Sequence, residues 1–208
     1  MTVLVDYKAG NLTSVSLALS RMGVDHRISG DPDVVRKAER IVFPGVGAAG
    51  SAMETLRSAG LAEALTESVQ KGTPVLGICI GCQILLESSE EDGGTRCLGI
   101  LPGIVRRFRF EDRPHPRPKV PHMGWNRVEF LRTHPVLEGI ESGTHFYFVH
   151  SFYPDPALPG AVLGRTDYAG TEFASILDCG NAVATQFHTE KSGEAGLRIL
   201  ANFAKWRP

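Results

Sequence analysis

The chain has 208 residues, 42% of them hydrophobic, with 22 basic side chains against 23 acidic ones and four cysteines. A net charge of −1 excludes the basic footprint of a general nucleic-acid binder, and no apolar run approaches the roughly 18 residues of a membrane span. Four cysteines are too few for a disulfide scaffold, and Asp6 comes too early for a secretory signal, so a reducing, cytoplasmic setting is expected.

In chain order, Thr2–Val5 is an apolar run expected as a strand, and Gly10-Asn11 then offers a turn and a helix cap. Leu12, Val15, Leu19 and Met22 follow at helical spacing, with Gly23 where a helix ends. Residues 24–28 and 41–43 read as the second and third strands, the latter buried on both faces. Helices are expected over 50–60 and 61–71, broken at Gly60, then a strand over 75–78 and a helix over 80–89. Strands alternating with helices imply crossovers and a parallel sheet. After Cys97 the rhythm changes. Segments 99–108, 122–130, 145–152, 161–166, 173–178 and 182–187 are rich in Val, Ile, Phe and Tyr, punctuated by Gly and Pro. They are expected to form an antiparallel extension of the same core. Ser192 is positioned to cap a last helix whose stripe is Leu197, Leu200, Phe203 and Ala204. Residues 106–119 are basic and proline-rich, expected as a solvated loop, with a partner or phosphate surface as the sharper alternative.

Two motifs mislead. Gly45-Val46-Gly47-Ala48-Ala49-Gly50 spells a dinucleotide fingerprint, but the next strand ends in Cys79 and offers no carboxylate for a ribose. Cys79-Ile80-Gly81-Cys82 is a C-x-x-C pair, but Cys97 and Cys179 stand apart and cannot complete a zinc site. Cys82 fits better as a small apolar residue on the inner face of a helix.

A different pattern carries chemistry. Gly77-Ile78-Cys79-Ile80-Gly81 has the form G-x-nucleophile-x-G at a strand-to-helix turn. Such a turn places the nucleophile at a strained apex, and its flanking glycines let strand and helix pack closely. A thiol there is expected to feel the positive end of the helix dipole. The N–H of Ile80 supplies one oxyanion donor, and the bare loop Pro44-Gly45-Val46-Gly47 is the obvious source of a second. Of seven histidines, His188 ends an apolar strand with Glu190 two residues on. In extended chain that spacing puts both side chains on one side, so Glu190 orients the imidazole that serves Cys79.

Gly77-Ile78-Cys79-Ile80-Gly81-Cys82-Gln83, Pro44-Gly45-Val46-Gly47 and Phe187-His188-Thr189-Glu190 resemble the three signatures of class I, triad-type glutamine amidotransferases. Further stretches are similar to one branch, the glutaminase subunits of imidazole glycerol phosphate synthases. They are Asp6-Tyr7-Lys8-Ala9-Gly10-Asn11-Leu12, His122-Met123-Gly124-Trp125-Asn126, Tyr147-Phe148-Val149-His150-Ser151 and His188-Thr189-Glu190-Lys191-Ser192. The resemblance spans the whole chain. It departs from the family at Cys82, where Met is usual, and at Thr189, where Pro is common.

The resemblance implies an α/β fold: a flavodoxin-like open, mostly parallel sheet flanked by helices, with an antiparallel β extension, in one domain over 1–208. It implies that Cys79 attacks glutamine, with His188 as base and Glu190 orienting it, and with Val46 and Ile80 as oxyanion donors. It assigns glutamine binding to Gln83 and Glu91 with backbone near Ser151 and Phe152. It requires no cofactor and no metal. It also implies a heterodimer with a (β/α)-barrel cyclase subunit, to which ammonia is channelled and against which Asn11, Tyr147 and Lys191 would sit. The glycines of the 44–47 loop suggest a peptide flip that creates or removes one oxyanion donor. The alternatives are a glutaminase feeding another synthase, such as the pyridoxal phosphate type, and a C-x-x-C redox protein.

Overall fold

The computed structural model describes residues 1–8, 11–112 and 116–208. The first half alternates β1 (Thr2–Val5), α1 (Leu12–Arg21), β2 (His26–Ser29), α2 (Pro32–Arg36), β3 (Arg40–Gly45), α3 (Ala49–Ser58), α4 (Leu61–Gln70), β4 (Val75–Cys79) and the single-turn α5 (Ile80–Gln83). Then come β5 (Ser88–Ser89), β6 (Thr95–Arg96), β7 (Gly103–Arg107), β8 (His122–Arg127), β9 (Glu129–Phe130), β10 (His145–His150) and β11 (Phe152–Pro156). β12 (Val162–Tyr168), β13 (Thr171–Asp178), β14 (Ala182–Thr185) and α6 (Gly193–Lys205) complete the chain.

Eight strands make the main sheet, in the order β2-β1-β3-β4-β14-β13-β12-β9. The first five run parallel, and β13, β12 and β9 continue it antiparallel. This is the expected α/β sheet with its β extension. The extension is not one piece, however: β8 pairs with β10, and β11-β7-β5-β6 form a further small sheet.

Side-chain alternation explains the layers. Leu4, Val42, Leu76 and Val183 face one way, packing with Leu19 of α1 and Leu200 and Phe203 of α6. Val3, Ile41, Phe43 and Val75 face the other, against Leu56 of α3 and Leu65 of α4. Both faces of the parallel strands are therefore dry, which is why they read as continuous apolar runs. Each such side chain fully removed from water contributes about 1.5–3 kcal/mol.

Several local expectations shift. The helix expected over 80–89 stops at Gln83, because the carbonyls it needs are taken: Leu98 N–H donates to Ile84, Ile100 and Leu101 to Leu85, and Gly99 to Leu86. The second strand lies two residues later at its start than 24–28. α2 was not anticipated, although Asp31 accepting from Asp33 N–H with Pro32 at the first position is an ordinary helix start. Asn11 and Ser192 occupy the N-cap positions of α1 and α6 without capping through their side chains. Arg106 and Arg107 of the basic segment belong to β7, where Arg106 pairs with Asp155, and Arg109 pairs with Glu90. Gly10 of the expected turn and Arg113 of the basic segment lie outside the described residues.

Candidate active site

Cys79 stands where β4 becomes α5, with φ 55° and ψ −105°. That left-handed backbone is costly for a non-glycine residue and is the strained apex the motif implies. The flanking glycines are required by contact. A Cβ on Gly77 would lie 2.6 Å from the carbonyl oxygen of Gly81, and one on Gly81 would run into the carbonyl oxygen of Phe43. Because α5 is only one turn, little helix dipole acts on the thiol. The charge beside it comes from His188 instead.

His188 is buried, with Nδ1 2.9 Å from Glu190 Oε1, and it is hydrogen-bonded to Cys79. The Glu190 side chain is itself buried, and its Oε2 has no hydrogen-bond partner among the described residues. Burial pulls the imidazole down, but hydrogen bonds to Cys79 and Glu190, then the charges of both, push it up to about 10. The pairing of residues 188 and 190 was expected from extended chain. The reason is different: β14 ends at Thr185, and a single 3₁₀ turn over Thr189–Lys191 brings the carboxylate back to the ring. His188 is pinned at both backbone ends, its N–H donating to Tyr147 O (3.0 Å) and its carbonyl accepting from Ser192 Oγ (2.6 Å).

Around the thiol is a cleft of about 270 Å³ lined by Val46, Cys79, Ile80, Gln83, Glu91, Ser151, Phe152 and His188. Every residue expected to attack, polarise or bind the substrate is therefore in one place, with Glu190 behind His188. A larger hollow of about 800 Å³, walled by residues within 130–142, holds none of them. Gln83 gives both donors of its amide away, to Phe152 O (2.9 Å) and Gln186 Oε1 (3.0 Å), so its own carbonyl oxygen is what it retains for a ligand. Glu91 is not a solvated member of an acidic run. Its Oε2 accepts from Ala49 N–H at 2.7 Å, at the start of α3, and burial raises its carboxyl although that bond lowers it. The 44–47 loop is less free than its glycines suggest. Gly45 is still in β3, opposite Cys79, and a Cβ there would meet Tyr7 Oη; only Gly47, at φ 96°, has the backbone latitude for a flip.

Residues 3–206 match the family Glutamine amidotransferase class-I. The chain belongs to that family. Imidazole glycerol phosphate synthase subunit HisH of Nitratidesulfovibrio vulgaris (strain DP4) is 49% identical over 208 residues, covering 99% of this chain and 96% of that protein. The subunit of the same description from Dehalococcoides mccartyi (strain CBDB1) is 44% identical over 205 residues, covering 99% and 97%. Among solved structures, PurLQS of Thermotoga maritima superposes with a TM-score of 0.74 at 19% identity, over 98% of this chain and 97% of that one, and so speaks for the fold alone.

Within this amidotransferase, Cys82 is fully buried, with its thiol pushed well above the usual range by that burial, and all four cysteines are free. Burial and a raised thiol do not suit a member of a redox pair. Of the residues expected at a partner face, Lys191 is exposed, whereas Asn11 and Tyr147 are half-buried. The Tyr147 ring meets Trp125 edge-on at 6.1 Å, and Trp125 in turn lies over Gly193. Trp125 (56% exposed) and Met123 (64%) leave the outer face of the β8–β10 ribbon apolar and open. Sequence reasoning missed Gln186, whose amide lies 3.8 Å from Cys79 Sγ, and the second role of Ser192, which also accepts from Tyr147 N–H at 2.9 Å. Neither sits in a spacing pattern that announces it.

Proposed function

We propose that residues 1–208, as one class I amidotransferase domain, form the glutaminase subunit of a cytoplasmic imidazole glycerol phosphate synthase. The observation that carries this reading is the Cys79–His188–Glu190 line, with Cys79 and His188 in the cleft wall and Glu190 behind, in a chain 44–49% identical to such subunits over nearly its full length. Cys79 attacks the side-chain amide carbon of glutamine, and the N–H groups of Ile80 and Val46 take the oxyanion. His188 gives its proton to the departing amine, leaving a γ-glutamyl thioester and ammonia. It then takes a proton from water as that water releases glutamate. Glu190 keeps the Nδ1 proton in place so that the other ring nitrogen faces the thiol. Gln83, Glu91 and the backbone at Ser151 and Phe152 hold the amino-acid end of the substrate.

Ammonia released into neutral water is mostly ammonium, which is not a nucleophile. A glutaminase of this kind needs a second active site sealed over the first. The apolar face of Met123 and Trp125, with the Tyr147 ring edge-on to Trp125, supports docking of a (β/α)-barrel cyclase subunit there, Lys191 and Asn11 being the further residues expected to meet it. The test is glutamate formation from glutamine by this chain alone, and by this chain with the cyclase subunit and its nucleotide ligand. Low activity alone with a large rise in the complex is expected. No turnover in either mixture, with folded protein and reduced Cys79, would overturn the assignment.

A further inference from the structure

A buried run of polar side chains that starts in the cleft wall at His150 and leads away from it takes no part in the chemistry above, yet its hydrogen bonds admit only one assignment. His150 Nδ1 lies 2.7 Å from the carbonyl oxygen of Phe152, which only accepts, so the proton is on Nδ1 and Nε2 is bare. His122 Nδ1 lies 2.9 Å from that bare nitrogen and must therefore donate. This leaves His122 Nε2 as an acceptor, and Asn126 Nδ2 is 3.3 Å from it. The Asn126 amide is fixed in turn, its oxygen accepting from Arg127 N–H (2.8 Å) and its second N–H donating to Asp167 O (2.9 Å). The His122 ring cannot turn easily, stacked between Tyr168 (4.0 Å) and Phe148 (4.8 Å). Burial pulls His122 down to about 4 and His150 to about 3, so both rings are neutral and the single-donor logic holds at working pH.

The chain of donors ends on the substrate-binding backbone. Phe152 O accepts from both His150 Nδ1 and Gln83 Nε2, and Ser151 O accepts from Phe108 N–H at 3.0 Å. With both carbonyls engaged inside the protein, this edge of the cleft is left to offer its N–H groups to a ligand. We infer that His122 and His150 are positioning residues for the amino-acid end of glutamine, acting through the carbonyl of Phe152. The inference rests on the glutaminase reading above.

The experiment uses the complex with the cyclase subunit. His122→Phe keeps a flat ring of similar size between Tyr168 and Phe148 but removes the donor. It is expected to raise KM for glutamine about tenfold, as loss of a buried hydrogen bond does, with kcat changed by less than about threefold. His122→Asn, whose amide nitrogen stands near the place of Nδ1, is expected to recover most of the loss. Alkylation of Cys79 by iodoacetamide, which has no amino-acid end, should proceed at the wild-type rate in all three proteins. His150→Leu removes the donor to Phe152 itself, is read in the same way, and decides the matter if His122→Phe does not fold. An unchanged KM in a folded variant, an equal fall in iodoacetamide reactivity, or failure of His122→Asn to do better than His122→Phe would each overturn the proposal. A wild-type complex without glutaminase activity defeats the functional reading; an active wild type with unmoved variants defeats only this one.

Discussion

Two groups of histidine rings lie buried in and beside one cleft and have opposite fates. His188, 2% exposed, is pushed up to about 10, whereas His122 and His150, 3% and 6% exposed, are pulled down to about 4 and about 3. Burial acts in the same direction on all three. The difference is what was buried with them: a thiol and a carboxylate beside His188, against a second imidazole, an amide and a carbonyl in the other group. A buried imidazole is a proton carrier only where a negative group is buried within reach, and otherwise it is a directional hydrogen-bonding part. One cleft uses both kinds.

The most forceful way to break the comparison is to take the negative group from His188. Glu190→Gln leaves a partner of the same shape at Nδ1 but without charge. Glutaminase kcat in the complex should fall on the order of 10³–10⁴-fold, with KM for glutamine little changed. A loss below tenfold would mean that Glu190 orients nothing that matters. A histidine-selective NMR titration compares the rings directly. In the wild type, His188 should stay protonated past pH 8, while His122 and His150 show no titration between pH 5 and 9. Cys79→Ala should lower the His188 midpoint, because the hydrogen bond to Cys79 is the foremost of the effects that raise it. The converse change gives the neutral group a charge. Asn126→Asp places a carboxylate at His122 Nε2 and should raise that ring by roughly 1–3 pH units. A His122 ring unmoved in that variant would show that the present contact is too weak to orient it.

How far the sequence speaks for these two groups also differs. Gly77, Cys79 and Gly81 are legible because strand, apex and helix are consecutive, and a close approach of backbones leaves glycine as its trace. His188 and Glu190 are legible for the same reason, although a 3₁₀ turn rather than extended chain brings them together. The parallel strands announce themselves as apolar runs because both their faces are covered. The neutral group leaves no such trace. His122 and His150 are 28 residues apart, and Gln83 and Gln186 are 103 apart; pairing of that kind is decided by how β8 registers with β10 and how α5 packs against the end of β14. The shortened α5 fails for a related reason, since carbonyls that would extend it are claimed by residues 98–101. Local spacing records local constraint, and the partners of a side chain are seldom local.

The smallest expected effect concerns stability, and its sign follows from the raised group. A histidine held above its unfolded value near 6.5 stabilises the fold fully below that pH, because both states are then protonated and only the folded one has partners for the charge. The contribution shrinks as pH climbs from about 6.5 toward the folded value of about 10, where the folded ring also loses its proton. The melting temperature of the wild type minus that of His188→Asn should therefore be largest near pH 6 and smaller at pH 9.5, by a few degrees, given about 2–4 °C per kcal/mol for a chain of this size. The same subtraction against His150→Leu should instead grow slightly from pH 6 to about pH 7.5 and be flat above, because near pH 6 the unfolded ring binds a proton that the folded one refuses. A difference that grows with pH for His188→Asn would mean that its ring is neutral when folded. The contrast between the two groups would then rest on hydrogen-bond direction alone.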